Sequence, residues 1–173
     1  RLSQPFAFQH FGLEAFADIV TLGKVTQVCA TLYGEQLKPK GPILSQTFTG
    51  ASASIRSGLA VLDEFERCNC FGEDGWNMRR HQYFRSKLER LAADNPGKIS
   101  GPYGEGMMIA FTPGDGSAET AKSMLQRLYD LGLMGFLAGS NPNRIRFLPP
   151  PGITTERHID LACEIIGRAI QEI

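Results

Sequence analysis

Apolar residues recur along this chain with two different periods, and the change from one to the other falls near Ala51. Before it, the run Ala17-Asp-Ile-Val-Thr-Leu-Gly-Lys24 is β-branched at its centre and predicts a short buried strand that Gly23 ends. Thr26 to Tyr33 is a second β-rich run, closed by Gly34. Two strands with no helix between them predict a hairpin or a sheet edge. Lys38-Pro-Lys-Gly-Pro42 is a turn-dense loop leading into Ile43-Leu-Ser-Gln-Thr47-Phe-Thr49-Gly50, which is rich in hydroxyls and ends in glycine.

From Ala51 the spacing turns helical, with apolar residues at 51, 55, 59, 62 and 65 on a face of small residues suited to close packing. Gly72 and Gly75 break the chain, and Trp76 to Ala93 predicts a second amphipathic helix with Met78, Phe84, Leu88 and Leu91 inward. Asn95-Pro96-Gly97 stops it. Gly101-Pro-Tyr-Gly-Glu-Gly106 then leads to a strand at Met107–Phe111. Ser117 caps a third helix over Ala118–Leu131, with Gly132 as its terminal signal. Short strands follow at Met134–Ala138 and Arg144–Leu148, the second placing Arg144, Arg146 and Leu148 on one face. Pro149-Pro-Pro151 ends it, and a final helix runs from Thr154 with Ile159, Ala162, Cys163, Ile166 and Ile170 buried. Residues 51–173 thus read as an α+β layer structure with its own core, and residues 1–50 as sheet material without enough sheet.

Composition narrows the function classes. Of 173 residues, 42% are hydrophobic and 21% charged, the balance of a soluble globular protein with room for one good core. Eighteen basic and eighteen acidic residues cancel, which argues against a nucleic-acid surface or a membrane-surface helix. No apolar run reaches membrane-spanning length, and the first residues lack the charged-then-apolar order of a signal peptide. Cys29, Cys68, Cys70 and Cys163 are scattered, as are His10, His81 and His158, so reduced thiols in a cytoplasmic protein and no metal site are expected. The apolar stretch Pro5–Gly12 would need covering by another segment, or the chain is cut from a longer one.

Candidate chemistry begins with Lys24. The carboxyl end of a strand is where ligands usually sit in α/β folds. Partial burial there would disfavour the charged form and make a neutral, nucleophilic amine available to a carbonyl-bearing partner. By itself, though, a lysine at a strand end is more often a solvated surface charge. The loop ending at Gly50 offers hydroxyl and N–H donors to an anion, or caps the next helix. The glycines of Gly101–Gly106 open no helix, so a dinucleotide fingerprint is excluded.

Taken together, the order of these motifs resembles the class III aminotransferases, pyridoxal-phosphate enzymes of fold type I acting on ω-amino groups. Ala17-Asp-Ile-Val-Thr-Leu-Gly-Lys24 is similar to that family's Pro-Asp-Ile-x-Thr-x-x-Lys signature, with Ala17 in place of proline. Thr47-Phe-x-Gly and Ile145-Arg146-Phe-x-Pro-Pro match later motifs, and Arg1 with Phe6-Ala-Phe8 resembles a Gly-Arg-Thr-Gly-x-x-Phe-Ala segment. The resemblance implies an α/β fold type I architecture that is incomplete: residues 1–50 as the end of the large cofactor domain, and 51–173 as a connecting helix with the α+β C-terminal small domain. It implies pyridoxal 5'-phosphate as cofactor, Lys24 as the Schiff-base lysine that also moves a proton, and Thr47 as a phosphate contact across a homodimer. Arg146 would receive a substrate carboxylate, a role for a planar fork that lysine does not fill. Amino donor and 2-oxo acid acceptor would be small molecules.

The sequence departs from that pattern in two places. Val25-Thr-Gln-Val-Cys-Ala30 replaces a glycine-rich run, as in the lysine 6-aminotransferase and 4-aminobutyrate aminotransferase branch, and Gly50-Ala-Ser replaces Gly-Asn-Pro. The larger departure is absence: nothing corresponds to the family's phosphate loop, ring-stacking aromatic or the acid on the pyridine nitrogen. These 173 residues are therefore expected to be a C-terminal portion, inactive alone. The competing expectations are a non-catalytic dimerisation module with Phe6, Phe8 and Phe11 as contacts, and a decarboxylase, racemase or aminomutase using the same lysine.

Overall fold

The computed structural model describes every residue except 42, 44–46, 49 and 173. Ser45 and Thr49 of the hydroxyl-rich loop therefore lie outside the described residues. Near the start, where the sequence shows no helical period, a four-residue helix α1 (Ala7–His10) forms because the Gln9 side chain supplies the missing cap, accepting from the Phe6 N–H at 3.2 Å. Strands β1 (Ile19–Leu22) and β2 (Ala30–Tyr33) pair antiparallel, Ile19 opposite Tyr33 and Leu22 opposite Ala30, as the two β-rich runs predict. The expected burial of β1 is not found: Ile19 is 58% exposed, and Leu32 and Tyr33 also face solvent. Two strands alone have no second layer to bury a face against.

Helix α2 (Ser52–Arg67) follows, and here too the apolar stripe is mostly uncovered. Ile55, Leu59 and Leu62 are exposed, while Gly58 and Phe65 are the buried positions. Helix α3 (Trp76–Asp94) matches the reading closely, with Met78, Phe84 and Leu88 buried.

One strand was not legible. β3 (Ile99–Glu105) runs through the glycine-rich stretch and pairs antiparallel with β4 (Met108–Pro113) across an irregularity between Ser100 and Tyr103. Helix α4 (Ala118–Asp130) starts at Ser117, whose Oγ accepts from the Thr120 N–H at 3.2 Å. Strands β5 (Phe136–Ala138) and β6 (Arg144–Phe147) complete an antiparallel sheet in the order β3-β4-β6-β5. Helix α5 (Glu156–Gln171) closes the fold, with Thr155 and His158 capping each other's backbone N–H groups at 3.3 and 3.2 Å.

The core lies between one face of this sheet and helices α3, α4 and α5. Ile109, Phe111, Ile145 and Phe147 from the strands meet Leu88, Met124, Leu128, Ile159, Ile166 and Ile170 from the helices. Alternation along β6 then turns Arg144 and Arg146 to the opposite face. Cys163 sits in this core, and burial pushes its thiol up to about 12. At pH 8 the thiolate fraction is on the order of one in 10⁴, so iodoacetamide should label exposed Cys29 first and reach Cys163 only on unfolding. Equal labelling rates by peptide mapping would show that α5 is not packed as described.

The chain's first three residues dock on this lobe through their carbonyls. Arg1 O accepts from Met107 N (2.8 Å), Leu2 O from Asn77 Nδ2 (3.2 Å) and Ser3 O from Gly72 N (2.7 Å). Gly106 makes this possible: its φ is +56°, and a Cβ there would lie 2.1 Å from Arg1 O. No helix among the described residues is long and apolar enough to cross a membrane.

Candidate active site

Lys24 stands where the sequence puts it, two residues past the end of β1, at the start of a 3-10 turn spanning Lys24–Thr26. Its φ of +66° is left-handed, an uncommon conformation for a residue with a side chain and one that costs about 1–2 kcal/mol. The surroundings impose it. Gln27 returns its backbone N–H to Lys24 O at 3.2 Å and its side-chain amide to the same oxygen at 3.3 Å. The Thr26 hydroxyl donates to Val28 O at 2.7 Å. The Lys24 side chain is exposed and makes no ion pair among the described residues, so this part of the chain does not supply the expected partial burial.

The turn is seated on α2 through a residue the motif reading passed over. A Cβ built on Gly58 would lie 2.6 Å from Thr26 O and 3.3 Å from Val28 Cγ1. A glycine inside a helix gives up about 1 kcal/mol of helix propensity relative to alanine, and that apparent waste was the available signal. Gly58→Ala should therefore destabilise by about 1–3 kcal/mol despite its better propensity, because the close contact is with backbone. Thermal unfolding checks this; a raised Tm would show that the Lys24 turn is not seated there.

Thr47 is exposed, with its hydroxyl available to a group outside the chain's own packing. Arg146 is half-buried on β6, in register with Ala110 of β4 on one side and Phe136 of β5 on the other. Its Nε is buried without a hydrogen-bond partner among the described residues, an uncommon state for a guanidinium nitrogen. Arg1, at the start of the chain, donates from Nη1 to Pro149 O at 3.1 Å and so braces the turn that follows β6. An apolar cavity of about 420 Å³ opens beside the same turn, lined by Leu148, Pro149, Pro150, Phe136, Ile153 and His158. Neither Lys24, Thr47 nor Arg146 lines it, and no hydrogen bond or ion pair among the described residues joins the three. Among the described residues no group of three or more His, Cys, Asp or Glu could hold a metal ion.

These features fit a carbonyl- and phosphate-bearing cofactor in part. An accessible amine on a fixed turn is a suitable nucleophile for its aldehyde and an accessible hydroxyl a suitable donor for its phosphate, and a guanidinium with an unpartnered Nε suits a substrate carboxylate.

The lobe has the fold of an aminotransferase portion. It superposes on lysine aminotransferase from Mycobacterium tuberculosis with a TM-score of 0.80 at 23% identity, covering 98% of this chain and 38% of that one. A Bacillus anthracis aminotransferase gives 0.80 at 18% identity, covering 100% and 42%. No family model matches the chain. Its sequence is 28% identical to the L-lysine-epsilon aminotransferase of Amycolatopsis lactamdurans, over 95% of this chain and 36% of the relative. It is 27% identical to the acetylornithine aminotransferase of Caldanaerobacter subterraneus, over 100% and 42%. Along its whole length the chain is thus similar to one portion of the class III aminotransferases, enzymes whose cofactor is pyridoxal 5'-phosphate. It spans little more than a third of the length of the curated relatives it matches.

Proposed function

We propose that Lys24, Thr47 and Arg146 serve the active site of a transaminase that moves an ω-amino group from a small amino donor to a 2-oxo acid, acting with further polypeptide of the relatives' length. The observation that carries this reading is Lys24 itself, an exposed amine with no ion pair among the described residues, fixed in a left-handed turn at the carboxyl end of β1. Lys24 Nζ would hold the cofactor covalently. The same amine, when free, would take the proton from the carbon that bears the transferred group. Bound pyridoxal phosphate supplies the electron sink for that proton transfer. Thr47 would donate its hydroxyl to the phosphate across a homodimer interface, which its exposure allows. Arg146 receives the substrate carboxylate through parallel N–H donors, one of them the Nε that has no acceptor among the described residues. A cytoplasmic setting suits the four free cysteines.

The test supplies the complete polypeptide with cofactor, 2-oxoglutarate and either L-lysine or acetylornithine, the substrates named for the relatives. Glutamate should form only when donor and acceptor are both present. Donor decarboxylated, racemised or isomerised without glutamate would assign a different reaction to the same lysine, and an unchanged donor would refute the reading.

A further inference from the structure

Among the described residues, four arginines have a buried Nε without a hydrogen-bond partner: Arg80, Arg127, Arg144 and Arg146. The first two are compensated at their other nitrogens, Arg80 by Glu156 and Arg127 by Glu172. Arg144 and Arg146 have no carboxylate partner among the described residues. They stand two residues apart on β6, on the sheet face turned away from the helices, with their Cα atoms about 7 Å apart. Two half-buried like charges side by side repel each other and lose hydration. In a chain whose net charge is zero, this face keeps an uncompensated pair.

Arg144 is also held in place. Its guanidinium carbon lies 4.1 Å from the centre of the Tyr103 ring, a contact that restricts the side chain while leaving its N–H edge free to donate. Ala110 of β4 lies opposite Arg146 and Ala138 of β5 opposite Arg144, which leaves room beside each, while Phe136 of β5 walls the other side of Arg146. Two planar forks at this spacing match an anion that carries two carboxylates.

We propose that Arg144 is a specificity residue, binding the second carboxylate of a short dicarboxylic substrate whose first carboxylate occupies Arg146. The inference rests on the assignment of Arg146 to a substrate carboxylate made above. It separates diacids from monoacids at a face that needs neither Lys24 nor bound cofactor.

The test is calorimetric titration of the full chain with glutarate, with butyrate and with inorganic phosphate, with no cofactor added. Glutarate should bind at least ~10-fold more tightly than butyrate, each carboxylate–guanidinium pair contributing a charge-assisted bidentate contact. Arg144→Gln should erase that preference and leave butyrate binding unchanged, Arg146→Gln should lose both ligands, and Arg144→Lys should keep part of the preference. An intact preference in Arg144→Gln overturns the proposal. So does equal binding of glutarate and butyrate, phosphate binding as tight as glutarate, or no binding to the unsubstituted chain. Because Lys24 takes no part in the titration, failure here with Lys24 trapped by cofactor sinks the carboxylate-binding roles of these arginines and leaves the lysine chemistry standing. A retained preference with Lys24 untrapped sinks only the transaminase reading.

Discussion

Lys24→Ala will abolish amine transfer by the complete polypeptide while leaving the fold intact. Two losses combine. The covalent anchor disappears with the amine, and so does the base that moves the proton, a contribution of about 10²–10⁴ in rate by itself. The fold should not notice, because Lys24 is exposed and makes no ion pair among the described residues, and such substitutions fall within about 0.5 kcal/mol. Single-turnover measurement with donor alone isolates the first half of the reaction, and added methylamine should restore part of the proton transfer without restoring the anchor. Unchanged turnover in Lys24→Ala would remove the lysine from the chemistry.

The second large effect is structural. Phe111→Ala should destabilise the lobe by about 3–5 kcal/mol, a substantial share of the roughly 5–15 kcal/mol that holds a domain together. Phe111 is 1% exposed at the middle of β4, with its ring 6.1 Å from that of Phe147, and it faces the helices across the layer. Truncation there leaves a void that α3 and α5 cannot close without moving. Leu161, exposed on α5, provides the contrast, since Leu161→Ala should cost at most about 0.5 kcal/mol. Urea midpoints for the two variants check this, and similar midpoints would place the core elsewhere.

Much of the lobe was legible because its helices advertise themselves. Ser117 caps α4, and the stripe Ile159, Cys163, Ile166 and Ile170 marks the inner face of α5. β3 was hidden because glycine and proline at Gly101, Pro102 and Gly104 argue for a turn, whereas the pairing with β4 tolerates them through an irregularity in register. The exposure of β1 and of the α2 stripe has a different reason. Periodicity says which face of a strand or helix is apolar, but not whether anything covers it, and Ile19, Ile55 and Leu59 remain exposed.

Of the candidate residues, the sequence places Lys24 just past a strand and Arg146 within one, and the fold has them there. The motif did not reveal the left-handed backbone of Lys24, which arises from the Gln27 and Thr26 hydrogen bonds, or the seat at Gly58. Nor could alternation show that Arg144 and Arg146 have no carboxylate partner among the described residues, because that depends on strands and helices distant in sequence.

Borohydride reduction of the cofactor-loaded polypeptide, followed by digestion and mass mapping, addresses the identity of the reactive amine without reference to substrate. A single pyridoxyl adduct on the peptide containing Lys24 is the predicted result. An adduct confined to Lys38, Lys40 or any other lysine, or no adduct at all, would contradict it.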